Sequence, residues 1–192
     1  MRLGILLLLS GFAFNSWAAS ERPNILLIMS DQQHFHAVGY MDPFFETPHI
    51  DKLAGDSMIF TQAFASSPQC SPSRASIYTG LMPHRTGVVG NIASIYRDNE
   101  KVIGLSEKLL SVADYFGAAD YTTAYVGKWH LGTRDNHRKR FDFGAFDTVF
   151  GGDDTEDTQK TDSALKILNS LKSGSRPFAL FVNYKQPHDI YK

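Results

Sequence analysis

Three short, mostly apolar runs set the frame of the chain. They are Asn24 to Met29 (NILLIM), Thr122 to Val126 (TTAYV) and Pro177 to Tyr184 (PFALFVNY). Short runs without polar alternation are the pattern of strands buried on both faces. Met58 to Ala63 (MIFTQA) predicts a further strand. Helical signals lie between these runs. Thr47-Pro48 supplies an N-cap and a first-turn proline for a helix that Gly55 closes. A short helix starts at Pro72 and ends at Gly80, and Ser106 caps an amphipathic helix through Phe116 that Gly117 terminates. After the polar, acidic loop Gly151 to Asp157, residues Asp162 to Leu171 predict a helix with Leu165, Leu168 and Leu171 turned inward.

Alternation of strands and helices predicts an α/β fold, a mostly parallel sheet with helices on both faces. In such sheets ligands bind beyond the carboxyl ends of the strands. Here the three buried strands each run into ionisable residues: Ser30-Asp31-Gln32-Gln33, Lys128 and His130, and Lys185-Gln186-Pro187-His188. A polar loop explains any one of these clusters alone. Three on one sheet edge point to a site.

The first residues change the picture of where the chain acts. Arg2, the apolar stretch from Leu3 to Phe14 and the small residues of Ser16-Trp17-Ala18 form a signal peptide over 1–18, with cleavage expected after Ala18. The apolar run is too short for a membrane anchor, which needs about 20 residues to cross about 30 Å. The mature chain is thus expected to be exported, periplasmic or secreted. A content of 43% hydrophobic residues suits a packed core, and a net charge of −1 gives no support to nucleic-acid binding. The basic run His137-Arg138-Lys139-Arg140, set among Asp135, Asn136 and Asp142, reads as a solvated loop.

Cys70 is the single cysteine, so no internal disulfide can form. It sits in PQCSPSRASIYTG. With Pro72 as the first helical residue, Cys70 lies just before the helix, where free N–H groups and the dipole favour an anion. Arg74 projects back towards the same point. A thiol there is expected to have a depressed pKa. The competing reading, a small buried hydrophobe beside a surface arginine, stays open on spacing alone.

Cys70-Ser71-Pro72-Ser73-Arg74, followed by Thr79-Gly80, resembles the signature of the type I sulfatases, in which the cysteine of C-x-P-S-R is oxidised to formylglycine. Tyr121 to His130, ending Gly127-Lys128-Trp129-His130, resembles the family's second signature. PNILLIMSDQQ and NYKQPH match the family in order and spacing. The resemblance covers nearly the whole mature chain and implies the alkaline phosphatase-like fold.

It also implies the chemistry. Hydrated formylglycine is a geminal diol: one hydroxyl attacks sulfur and displaces the alcohol, and the other then expels sulfate. A divalent metal, Ca²⁺ or Mg²⁺, and positive side chains stabilise the charge. By resemblance, Asp31 is a metal carboxylate and Gln32 stands where many members carry a second aspartate, while Cys70 supplies the nucleophile. Arg74 holds it, Lys128 bridges to the sulfate, His130 takes a proton from the diol, and His188 contacts the sulfate and protonates the leaving oxygen. A formylglycine-generating enzyme or radical maturase is the implied partner, and a small-molecule or glycan sulfate ester the implied substrate of an arylsulfatase-like enzyme. Asp120 replaces a usual glycine, with an expected effect on a turn.

His34 and His36 read as loop or cleft residues, His84 and Arg85 as helix-end packing, and Gly127-Lys128 is no phosphate loop because Thr122 replaces the earlier glycine. Family members are longer and draw further metal ligands from later in the chain, so 19–192 is expected to be the N-terminal part of a catalytic domain, inactive and poorly soluble alone. Other readings are a phosphonate monoester or phosphodiester hydrolase of the same superfamily, a binding protein with an intact Cys70 thiol, and a cysteine hydrolase, the last disfavoured by Pro72.

Overall fold

The computed structural model describes residues 22–92, 104–106, 108–132, 146–152 and 155–188. The expected signal peptide and the basic run at 137–140 lie outside the described residues. Four strands form one parallel sheet: β1 (Ile25–Met29), β2 (Thr122–Gly127), β3 (Thr148–Phe150) and β4 (Phe178–Asn183), in the order β1-β4-β2-β3. Helices α1 (Pro48–Gly55), α2 (Cys70–Thr79), α3 (Pro83–Thr86), α4 (Val112–Ala118) and α5 (Asp157–Lys172) complete the described elements.

The sheet separates two cores, as expected with helices on both faces. On one side Tyr125 and Phe181 meet Ala75 and Tyr78 of α2, with Trp129 and Leu131. Tyr78, Tyr125 and Trp129 stack around one another at centroid distances of 5.4 to 5.8 Å. On the other side Ala124, Val126, Leu180 and Val182 pack under Ala164, Ile167, Leu168 and Leu171 of α5. β4, paired on both edges and covered on both faces, is buried throughout.

β1 departs from the buried-strand reading. Ile25, Leu27 and Met29 reach the first core, but Leu26 and Ile28 are 48% and 59% exposed. They are in register with Leu180 and Val182, on the α5 face, and α5 packs over the two inner strands. The residues predicted as a strand at Met58 to Ala63 form none. A strand needs a partner ladder, these residues pair with no strand among the described residues, and Met58 and Phe60 are nearly 80% exposed.

Other boundaries move for local reasons. α4 begins after Ser111 rather than Ser106: the Asp114 carboxylate accepts from both the Ser111 N–H and Oγ–H, at 2.6 and 2.7 Å. Ser106 instead closes a turn to Leu109, and Gly117 lies within the helix. α5 begins at Asp157, one turn and more before Asp162, and Leu165 is exposed, so its inward stripe runs through Ala164, Leu168 and Leu171. The short β3 carried no apolar run long enough to announce it. Asp120 has φ +61, the left-handed region where glycine is the unstrained choice, which bears out the turn effect expected there. Gly80 ends α2 at φ +69, as predicted.

Candidate active site

Met29, Gly127 and Asn183 stand level in register across three adjacent strands. All three strands run the same way, so the residues that follow are delivered to one edge. Asp31 comes from β1, Lys128 from β2 and the Lys185–His188 turn from β4. The Asp31 N–H donates to Gln186 O (3.3 Å) and the Lys128 N–H to Asn183 O (2.9 Å), binding the three exits together. Gly127 makes this possible: its φ is +100, and a Cβ there would lie 2.0 Å from Asn183 O.

α2 closes the site from the first-core side. Besides Pro72, its buried residues Ser71, Arg74, Ala75 and Tyr78 follow helical spacing, and Ser71 and Arg74 are polar where that face meets the sheet edge. Arg74 Nη2 donates to Asp31 Oδ2 (3.0 Å), Arg74 Nη1 to Lys128 O (2.8 Å), and Lys128 Nζ lies 2.7 Å from the same Oδ2. Asp31, Arg74 and Lys128 are each 5% exposed or less. Two cations on one carboxylate leave a buried surplus of one positive charge.

Cys70 is the first residue of α2, with Gln69 as N-cap, and Pro72 is the third. This corrects the position expected before the helix. The helix N-terminus also has little left to offer an anion. The Ser71 N–H is taken by Asn91 Oδ1 at 3.0 Å, the Ser73 N–H by Gln69 O, and Pro72 has none. The Cys70 thiol instead donates to Asp31 Oδ1 at 3.2 Å. Burial, reinforced by the Asp31 carboxylate, pushes the thiol pKa up, the reverse of the depressed value expected from sequence. At Asp31 burial works upward too, but the Lys128 hydrogen bond and the Arg74 charge outweigh it and hold the carboxyl below its ordinary value.

Ser71 Oγ donates to His130 O (2.7 Å), tying His130, at φ +55, to α2, and the His130 Nε2 lies 3.0 Å from Ile92 O. His188 arrives from the β4 turn, and its ring nitrogen, Cys70 Sγ and an Asp31 oxygen lie within 4.8 Å of one another. Gln32 is exposed, with φ +58, and makes no side-chain hydrogen bond among the described residues. His34, His36, His84 and Arg85 are exposed, in the loop and at the α3 end expected for them.

Sequence reasoning missed the layer beneath. Asn183 is fully buried and its Oδ1 accepts from Tyr78 Oη (2.6 Å) and Arg74 Nη1 (3.4 Å), while Tyr125 Oη donates to Lys128 O (2.6 Å). These residues read as strand and helix core, and the available signal was that a polar Asn ends an apolar run.

The donor chemistry suits a hard cation in part: Asp31 offers an anionic oxygen beside Cys70, but one carboxylate falls short of the six or more oxygens that Ca²⁺ takes.

Comparison with known proteins bears on the family of the chain. The chain is 37% identical over 144 residues to N-acetylgalactosamine-6-sulfatase of Sus scrofa, covering 73% of this chain and 27% of that protein. It is 42% identical over 119 residues to the ulvan-active sulfatase of Formosa agariphila, covering 62% and 21%. It thus spans about a quarter of the length of the curated relatives it matches. Among solved structures, yidJ of Bacteroides fragilis superposes with a TM-score of 0.70 at 26% identity, over 86% of this chain and 44% of that one. The sulfatase family model matches residues 23–192, almost the whole described region, and the chain belongs to the sulfatase family.

Proposed function

We propose that the whole protein hydrolyses sulfate monoesters. The observation that carries this reading is the Asp31 carboxylate, shared by Arg74 and Lys128 and touching Cys70. The surplus positive charge of that group faces the point where an anionic ester would meet Cys70. A unit charge about 4 Å away at an effective dielectric constant near 20 is worth roughly 4 kcal/mol.

In this reading Cys70 is converted to formylglycine by a formylglycine-generating enzyme or radical maturase. The hydrated aldehyde supplies a geminal diol, one hydroxyl to attack sulfur and one to release sulfate. Arg74, held by Asp31, Lys128 O and Asn183, fixes the diol. Lys128 turns from Asp31 to the sulfate, and His130 takes the proton of the diol. His188, within reach of Cys70 and Asp31, gives a proton to the departing oxygen. Asp31, with the Gln32 amide oxygen and the oxygen of converted Cys70, would hold Ca²⁺ or Mg²⁺, which would lower the diol pKa and offset the sulfate charge. The substrate class is a small-molecule or glycan sulfate ester; two relatives are named for N-acetylgalactosamine 6-sulfate and for ulvan. A leader over 1–18 cleaved after Ala18 would deliver the domain 19–192 to the periplasm or outside the cell.

The test pairs mass spectrometry of the Cys70 peptide, from a host able to carry out the modification, with turnover of aryl sulfate and aryl phosphonate by the full-length protein. An aldehyde at Cys70 and faster sulfate turnover are expected. An intact thiol, or preference for the phosphonate, overturns the reading.

A further inference from the structure

A second charged group lies behind the site and outside the chemistry assigned above. Lys160, in the first turns of α5, has no exposed surface, and its Nζ is 2.7 Å from Asp157 Oδ1. A fully buried lysine is rare unless paired and well packed. The packing is specific: its Cδ lies 3.1 Å from where a Gly127 Cβ would stand, so the stem fills the space under the turn that carries Lys128. Asp157 in turn accepts from the Lys185 N–H (3.0 and 3.2 Å) and the Gln186 N–H (2.9 Å). Gln186 O takes the Asp31 N–H, and His188 N–H closes the turn on Lys185 O.

We propose that Asp157 and Lys160 form a positioning clamp that fixes the His188 turn relative to Lys128 and Asp31, and thereby aims His188 at the leaving oxygen. Neither residue need touch substrate. The geometric basis is that one ion pair at the end of α5 contacts the exits of β2 and β4 and reaches the exit of β1 through one peptide. Two amides held by one carboxylate cannot swing independently, so the turn carrying His188 has a single setting. A positioning error of about 1 Å at a catalytic group costs up to about 100-fold, and loss of a supporting partner behind an active-site ligand typically costs about 10- to 100-fold.

This inference rests on the sulfatase reading and on His188 as proton donor, and its test separates the two. Full-length wild type, Asp157→Ala, Asp157→Asn and Lys160→Met are assayed on an activated aryl sulfate, whose leaving group needs no proton, and on an alkyl sulfate, whose leaving group does. Asp157→Ala should lose about 10- to 100-fold in kcat on the alkyl ester and less than about threefold on the aryl ester. Asp157→Asn, which keeps one acceptor oxygen, should recover part of that loss. In Asp157→Ala, hydrogen exchange at the Lys185 and Gln186 amides should speed up while the β4 amides stay protected. Lys160→Met keeps a stem under Gly127 and should show the same leaving-group signature if Asp157→Ala fails to fold. An equal loss on both esters, or unchanged exchange at the two amides, overturns the clamp and leaves the function standing. Wild type inactive on both esters overturns the function and the inference with it.

Discussion

Gly127→Ala puts the close approach of β2 and β4 to a direct test. The new Cβ would sit 2.0 Å from Asn183 O and 2.9 Å from Asn183 C, backbone atoms in the most buried strand. The strands must part by more than an ångström to restore ordinary contact. That breaks the 2.9 Å Lys128 N–H to Asn183 O bond, worth about 1 kcal/mol. Holding alanine at φ +100 adds roughly 1–3 kcal/mol of strain. The sum is about 2–4 kcal/mol, a large share of the about 5–15 kcal/mol that holds a typical domain folded. In urea unfolding of the full-length protein the midpoint should fall without a change in slope, and kcat/KM should drop more than about tenfold as Lys128 moves off Asp31. Gly117→Ala is the control. Nothing lies within 4 Å of its Cβ inside α4, and it should be neutral or stabilising by up to about 1 kcal/mol. A loss below about 1 kcal/mol in Gly127→Ala with activity intact would refute the argument.

Further outcomes follow from the same contacts. In protein made without the maturation machinery, Cys70 should alkylate slowly at neutral pH because burial and Asp31 raise its pKa, and Asp31→Asn should accelerate it; alkylation at the rate of a free thiol in wild type would contradict this. Tyr78→Phe removes the 2.6 Å bond to Asn183 Oδ1 and should cost about 1–3 kcal/mol in thermal unfolding, with Arg74 less firmly held. Burial pushes the Asp157 carboxyl up, but the Lys160 hydrogen bond and the Lys185 and Gln186 amides outweigh it and hold its folded pKa below the ordinary carboxylate value. A depressed carboxyl stabilises the fold above its unfolded pKa and loses that contribution as pH falls through the folded one. The stability gap between wild type and Asp157→Asn should therefore be full near pH 6 and close below pH about 4; a gap that widens with acid would show the sign to be wrong.

Much of the site was readable because its residues sit where the pattern changes. Asp31, Lys128 and His188 each follow an apolar run, and the parallel strand order makes those run ends neighbours. Cys70 and Arg74 stood out as a cysteine and an arginine at helical spacing. The thiol pKa was misjudged because a helix N-terminus suggests positive potential, while the nearest charge is a carboxylate 39 positions away in the chain. The strand expected at Met58 failed because apolar residues supply only the willingness to pair. The partner edge is a tertiary matter.

The sequence by itself determined the period of each main element, the parallel α/β arrangement and the ends at which chemistry would collect, since these depend on neighbours within about ten residues. Only the tertiary structure decided the charges. It put two cations on Asp31, turned the thiol towards a carboxylate, and buried Lys160 under Gly127 so that Asp157 could hold the last turn. Each of these is a contact between residues distant in sequence or a consequence of burial, and neither the distance nor the loss of water is written in the order of the residues.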